Sequence, residues 1–127
     1  MGNYFKKFNK TKKFDFDTKG LEYFSLQELY EELTESNDGK EPDLESNPIP
    51  VRAIYINTKG YYDPAPVVGI DGALINLPAH LLESAEDIIN DEQAVKLVNQ
   101  GHCGMVISYY WMEKYNKTCY TAEFVEI

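Results

Sequence analysis

The sequence is poor in the residues that announce chemistry. Its 127 residues include two cysteines, two histidines and one tryptophan. Cys103 and Cys119 are too few for a disulfide framework, and a reducing interior would hold both as thiols, so they read as small strand residues. Zinc sites are built from ligands paired at two- to four-residue spacing, whereas His80, His102, Cys103 and Cys119 offer only the adjacent pair His102-Cys103. Neighbouring side chains on a strand point to opposite faces, so that pair does not reach one ion. His80 reads as a helix-entry residue, and His102 as a loop residue after Gly101. No apolar run is long enough to span a bilayer, and "MGNYFKKFNK" lacks the apolar stretch of a secretory signal. A soluble, cytoplasmic protein with no membrane partner is expected.

Catalytic signatures are missing too. No glycine-rich oxyanion loop or nucleophile elbow is present, and "GIDG" has neither the spacing nor the strand-to-helix setting of a phosphate cradle. Carboxylates abound, but they concentrate in solvent-facing helix and loop positions and form no pair tuned for acid and base work. The chain is therefore expected to bind and not to catalyse, with no cofactor and no metal.

What the sequence has in excess is negative charge, unevenly spread. The net charge is −9. Residues 1–20 hold six lysines against Asp15 and Asp17, a net of +4, and the remaining residues hold six basic and nineteen acidic side chains, a net of −13. A basic arm on an acidic body suits either an arm that touches phosphates or an acidic surface that meets a basic partner.

The arm interleaves its lysines with Tyr4, Phe5, Phe8, Phe14 and Phe16. Disordered tails rarely keep so many rings, so some of them should dock on the body. "FDFDTKG" reads as a short strand with a turn at Gly20. Ser25 and Glu28 have the spacing of a capping box, with Phe24 and Leu29 placed as a hydrophobic staple, and Leu26, Leu29, Tyr30 and Leu33 share one face. A helix is predicted over 26–34, followed by the acidic loop "TESNDGKEPDLESNPIP". From Val51 the pattern becomes strand-like. "VRAIYINTK", "VVGI" and "ALINLP", separated by "GYYDPAP" and by Asp71-Gly72, predict three consecutive antiparallel strands. After Pro78, Leu81, Leu82, Ala85, Ile88 and Ile89 form a helical face. Asn90 with Gln93 reads as the cap of a second short helix, stopped by Gly101.

The last two strands form a hairpin. With Asn116-Lys117 at its tip, Tyr115 faces Thr118, Glu113 faces Tyr120, Trp111 faces Ala122 and Tyr109 faces Phe124. Cys103, Met105, Ile107, Tyr109 and Trp111 then share a core face with Tyr120, Ala122 and Phe124. The half-polar opposite face leaves Tyr110, near Met112 and Lys114, as a candidate contact. The other candidate stretch is "INTKGYY", where Asn57, Lys59, Tyr61 and Tyr62 mix cation and rings as a single-stranded nucleic acid requires; it reads equally well as a hairpin turn. With Arg52 and Tyr55 from the same strand, the expected nucleic-acid-binding residues are Arg52, Tyr55, Asn57, Lys59, Tyr61, Tyr62, Tyr110 and Lys114.

Three strands, a helical crossover and two strands give an α+β chain. Residues 1–50 form a basic arm, a capped helix and an acidic loop. Residues 51–127 form a five-stranded antiparallel barrel domain of β-β-β-α-β-β order, similar to the oligonucleotide-binding (OB) fold. Over about 51–127, with "YINTK", "INLPAH" and "CYTAEFVEI" as markers, the chain resembles small proteins of phages and mobile elements of Gram-positive bacteria, some described as single-stranded DNA-binding. The resemblance implies a barrel with a strand-binding face inside a host cell. Single-stranded DNA is thus one expected partner. The other is a basic host protein, with the acidic body acting as an inhibitor of a defence nuclease by analogy with anti-CRISPR and antirestriction proteins. An exposed barrel edge would also permit a homodimer.

Overall fold

A computed structural model describes residues 14–57 and 64–127. Of the arm rings, Phe14 and Phe16 fall within that range and do dock. Phe14 is buried, and Phe16 lies so close to β4 (Ala65–Ile70) that a Cβ on Gly69 would sit 2.5 Å from its ring. The expected docking of Tyr4, Phe5 and Phe8 lies outside the described residues. Residues 14–20 do not form the expected strand, although the chain turns at Gly20 with φ +79.

The capping box is present. The Ser25 hydroxyl accepts from the Glu28 amide at 3.1 Å, and the Glu28 carboxylate accepts from the Ser25 amide at 3.1 Å. It starts α1 (Leu26–Ser36), which runs two residues beyond the predicted end and buries Leu26 and Leu29. Just before it, β1 (Tyr23–Ser25) pairs in parallel with β5 (Ala73–Asn76). β3 (Ala53–Asn57), β4 and β5 are the three predicted antiparallel strands, and Ile70 pairs with Ala73 across the Asp71-Gly72 turn. The four-stranded sheet has the order β1-β5-β4-β3. A second sheet has the order β2-β6-β7, from β2 (Ile49–Pro50), β6 (Cys103–Met112) and β7 (Lys117–Glu126).

One run of chain belongs to both sheets. The Val51 amide donates to the Cys103 carbonyl at 2.9 Å, and the Arg52 amide donates to the Gly69 carbonyl at 2.8 Å. Consecutive strand amides point to opposite sides, so residues 49–57 leave one sheet and enter the other at this bend. The expected closed five-stranded barrel is not found. β1 occupies the β5 edge that β7 would need for closure, and among the described residues β7 pairs only with β6.

The crossover begins with a 3-10 turn (Ala79–Leu81) after Pro78, then α2 (Leu82–Ile89) and α3 (Glu92–Asn99). Asp91, and not the expected Asn90, caps α3, its carboxylate accepting from Gln93 N at 2.9 Å and Ala94 N at 3.2 Å. Asn90 is instead the C-cap of α2, with φ −89 and ψ 0, whereas Asp91 has the extended backbone that an N-cap needs. α3 ends at Gly101, φ +82. Its amide donates to Val98 O at 3.1 Å while His102 N donates to Leu97 O at 2.8 Å, a Schellman closure. Val51, Ile54, Val68, Ile75 and Met105 lie at the centre of the core, and Phe14, Leu26, Leu29 and Leu44 pack into the same cluster.

Candidate functional site

Among the described residues the β6–β7 hairpin carries most of the exposed rings. In its ladder Tyr109 pairs with Tyr120, Trp111 with Thr118 and Met112 with Lys117. The connection is a 3-10 turn over Glu113–Tyr115, closed by Asn116 in the left-handed region with φ 49 and ψ 49. Asn116-Lys117 is therefore not the tip, and Tyr109 and Trp111 face residues four positions earlier in β7 than expected. An even-numbered shift leaves the side chains on their expected faces.

The expected core face is a core over only part of its length. Cys103, Met105 and Ile107 are buried, while Tyr109 is 48% and Trp111 57% exposed. Ten residues of strand extend about 34 Å, but β2 pairs only with Gly104 and Met105, so the distal half of β6 continues beyond β2. On that distal half Tyr109 meets Tyr30 of α1 at 5.8 Å between centroids, and Tyr120 lies 5.9 Å from Tyr30 and 6.1 Å from Tyr109. The Tyr109 hydroxyl donates to the Glu41 carboxylate, pinning the acidic loop against the hairpin. That bond raises the Tyr109 pKa, and burial, followed by Glu41, raises that of Tyr30. Trp111 stands beyond the cluster on the same face.

At the tip the Lys114 and Lys117 ammonium groups lie 5.4 Å and 5.6 Å from the Tyr115 ring centroid, within cation–π range. The opposite face carries Tyr110, Met112, Lys117, Cys119 and Thr121. There the His80 Nε2 is 2.7 Å from the Thr121 hydroxyl.

Those of the predicted residues that are described are divided between this hairpin and the strand 49–57. Arg52 holds Asp71 through two contacts, Nε to Oδ1 at 3.1 Å and Nη2 to Oδ2 at 3.3 Å, so its charge is already matched. Tyr55 packs edge-on against Phe14 at 6.2 Å, and burial raises its pKa. Asn57 is exposed at the end of β3. Tyr110 is exposed and Lys114 flanks Tyr115. Lys59, Tyr61 and Tyr62 lie outside the described residues. Trp111, Tyr115 and Lys117 were not among the predicted residues. The run of rings Tyr109, Tyr110 and Trp111 beyond the aliphatic and small residues 103–108 was the available signal, since a buried strand face is usually more uniform.

Among the described residues no three His, Cys, Asp or Glu side chains gather as a metal site would require, and no helix is long and apolar enough to cross a membrane. Both cysteines are thiols, Cys103 buried with its pKa pushed up to about 11 by burial. Compared with known proteins, the chain matches no family model, no curated protein and no solved structure.

Proposed function

We propose that the chain is a binding protein that docks through the projecting β6–β7 hairpin onto a partner protein with a basic surface. The observation that carries this reading is the exposed row Tyr109 and Trp111, with the Glu41 carboxylate bonded at its edge. Large aromatics at the centre of a contact, ringed by polar groups, supply most of the energy of protein interfaces. The acidic surroundings fit a basic partner: the described residues hold twenty acidic side chains against six basic ones. We read the architecture as OB-like, with the bent strand 49–57 shared by two sheets and the helices inserted between β5 and β6. On this reading the seam of the barrel is left open, and the chain acts as an acidic occupant of a basic channel, such as the nucleic-acid channel of a defence nuclease.

The test is capture of a partner from a host-cell lysate by the immobilised chain, beside Trp111→Ala and Tyr109→Phe. Retention by the wild type and Tyr109→Phe, with loss on Trp111→Ala, supports the reading. Equal retention by all three sinks it.

A second reading, binding of single-stranded DNA, is favoured by Lys114 and Lys117 around Tyr115, since a base can stack where two cations meet phosphate. Two phosphate contacts would give a slope of about −1.4 for log K against log salt. Trp111 is the only tryptophan, so its emission reports the hairpin directly. An oligothymidylate that shifts the emission with such a slope, and loses the effect in Lys114→Ala/Lys117→Ala, selects the nucleic-acid reading. Unchanged emission at low salt excludes it.

A further inference from the structure

An open groove of about 460 Å³ runs along the start of β7. One wall is Lys117, Thr118, Cys119 and Tyr120 with Tyr110 of β6 beside Cys119, and the other comes from Ser25 and the first turn of α1 and from the segment Asn76 to His80. Thr118 and Tyr120 belong to one face of the hairpin, and Lys117 and Cys119 to the other. A groove that touches both faces of a strand lies along its edge. Among the described residues β7 has β6 on one side only, so along this stretch alternate backbone amides and carbonyls point into the groove.

Further along, the same edge is strapped. Thr121 lies on the face away from the core, yet His80 of the 3-10 turn reaches its hydroxyl, which carries that turn across the strand. The strap leaves a ledge of four residues, about 13 Å long. The ledge is too short to seed an extended sheet but long enough for a few residues of a visiting strand. Its charge also differs from the rest of the molecule. The lining contains no carboxylate, and its ionisable side chains besides the tyrosines and Cys119 are Lys117 and His80.

We propose that this groove is a peptide-binding site that takes a short extended segment carrying carboxylates, paired by its backbone to β7 residues 117–120 and held by Lys117. Edge addition supplies main-chain hydrogen bonds, and the carboxylate supplies the selectivity that a plain edge lacks. Tyr109 and Trp111 do not line the groove, although Tyr120 and Thr118, which do, pair with them across the hairpin.

The probe is a fluorescein-labelled hexapeptide of alternating threonine and valine ending in two glutamates, followed by polarisation on the full chain. Three companions are run: the same peptide ending in two lysines, the acidic peptide N-methylated at alternate residues, and a labelled oligothymidylate. The acidic peptide should bind. N-methylation or the lysine ending should weaken it at least about tenfold, as should Lys117→Glu. Amide resonances of 117–120 should shift on titration, and circular dichroism checks that Lys117→Glu is folded. Equal binding of the lysine peptide, indifference to N-methylation, no binding of the acidic peptide, or tighter binding of the oligothymidylate would each overturn the proposal.

Discussion

Met105 and Trp111 stand on the same face of the same strand, six residues apart, and should respond to truncation in opposite ways. Met105 is fully buried and Trp111 is 57% exposed. Removing a buried methionine side chain leaves a cavity, and such substitutions cost about 2–5 kcal/mol. In a domain of this size that corresponds to a fall in Tm of roughly 6 °C or more. Trp111→Ala removes a larger side chain, yet one more than half exposed, so its cost should stay below about 2 kcal/mol. Paired urea titrations followed by far-ultraviolet circular dichroism measure both. Acrylamide quenching adds an independent check, because an exposed indole is quenched readily and emits at long wavelength. A loss above about 2 kcal/mol for Trp111→Ala, or a tryptophan shielded from acrylamide, would show that the hairpin face is packed to its end, and the docking role would fall with it.

Gly69→Ala should destabilise by about 1–3 kcal/mol, because its Cβ would sit 2.5 Å from the Phe16 ring. In a double-mutant cycle with Phe16→Ala most of that cost should disappear, and additivity would refute the contact. Ser25→Ala should cost about 1 kcal/mol by removing the hydroxyl that accepts from Glu28 N at 3.1 Å, and an unchanged urea midpoint would rule out that role. Burial raises the Cys103 pKa from 9.0 to about 11, so the folded state holds that proton more tightly than the unfolded chain. Its contribution to stability is complete below pH 9 and fades as the pH rises through 11. The stability advantage of the wild type over Cys103→Ala should therefore narrow across that window, and a constant difference would contradict the burial.

Features written in a few adjacent residues were readable in advance. Ser25 and Glu28 announce α1 because each satisfies the other's backbone amide, and Gly101 announces the end of α3 because few other residues accept its backbone angles. Asp71-Gly72 joins β4 to β5 for a similar reason. What escaped depends on partners distant in sequence. β1 is three residues long, too short for an alternating pattern, and exists because β5 offers it a parallel edge. β2 is two residues and exists because β6 lies beside it. The fate of Arg52 is decided by Asp71, and that of Tyr55 by Phe14. The alternation of β6 and β7 identified which side chains share a face, but how far the body covers that face depends on the strand's neighbours. Trp111 for that reason looked like a core residue.

Residues 49–57 hold the two sheets on a single backbone, with Val51 bonded into one and Arg52 into the other. Neither sheet can dissolve while leaving its neighbour whole, since pulling this segment out unzips both ladders together. Amide exchange at Val51 and Arg52 should accordingly track the slowest, global opening of the molecule, while the distal hairpin exchanges freely through local fraying. The hairpin that carries the proposed docking face can thus fray without disturbing the scaffold behind it.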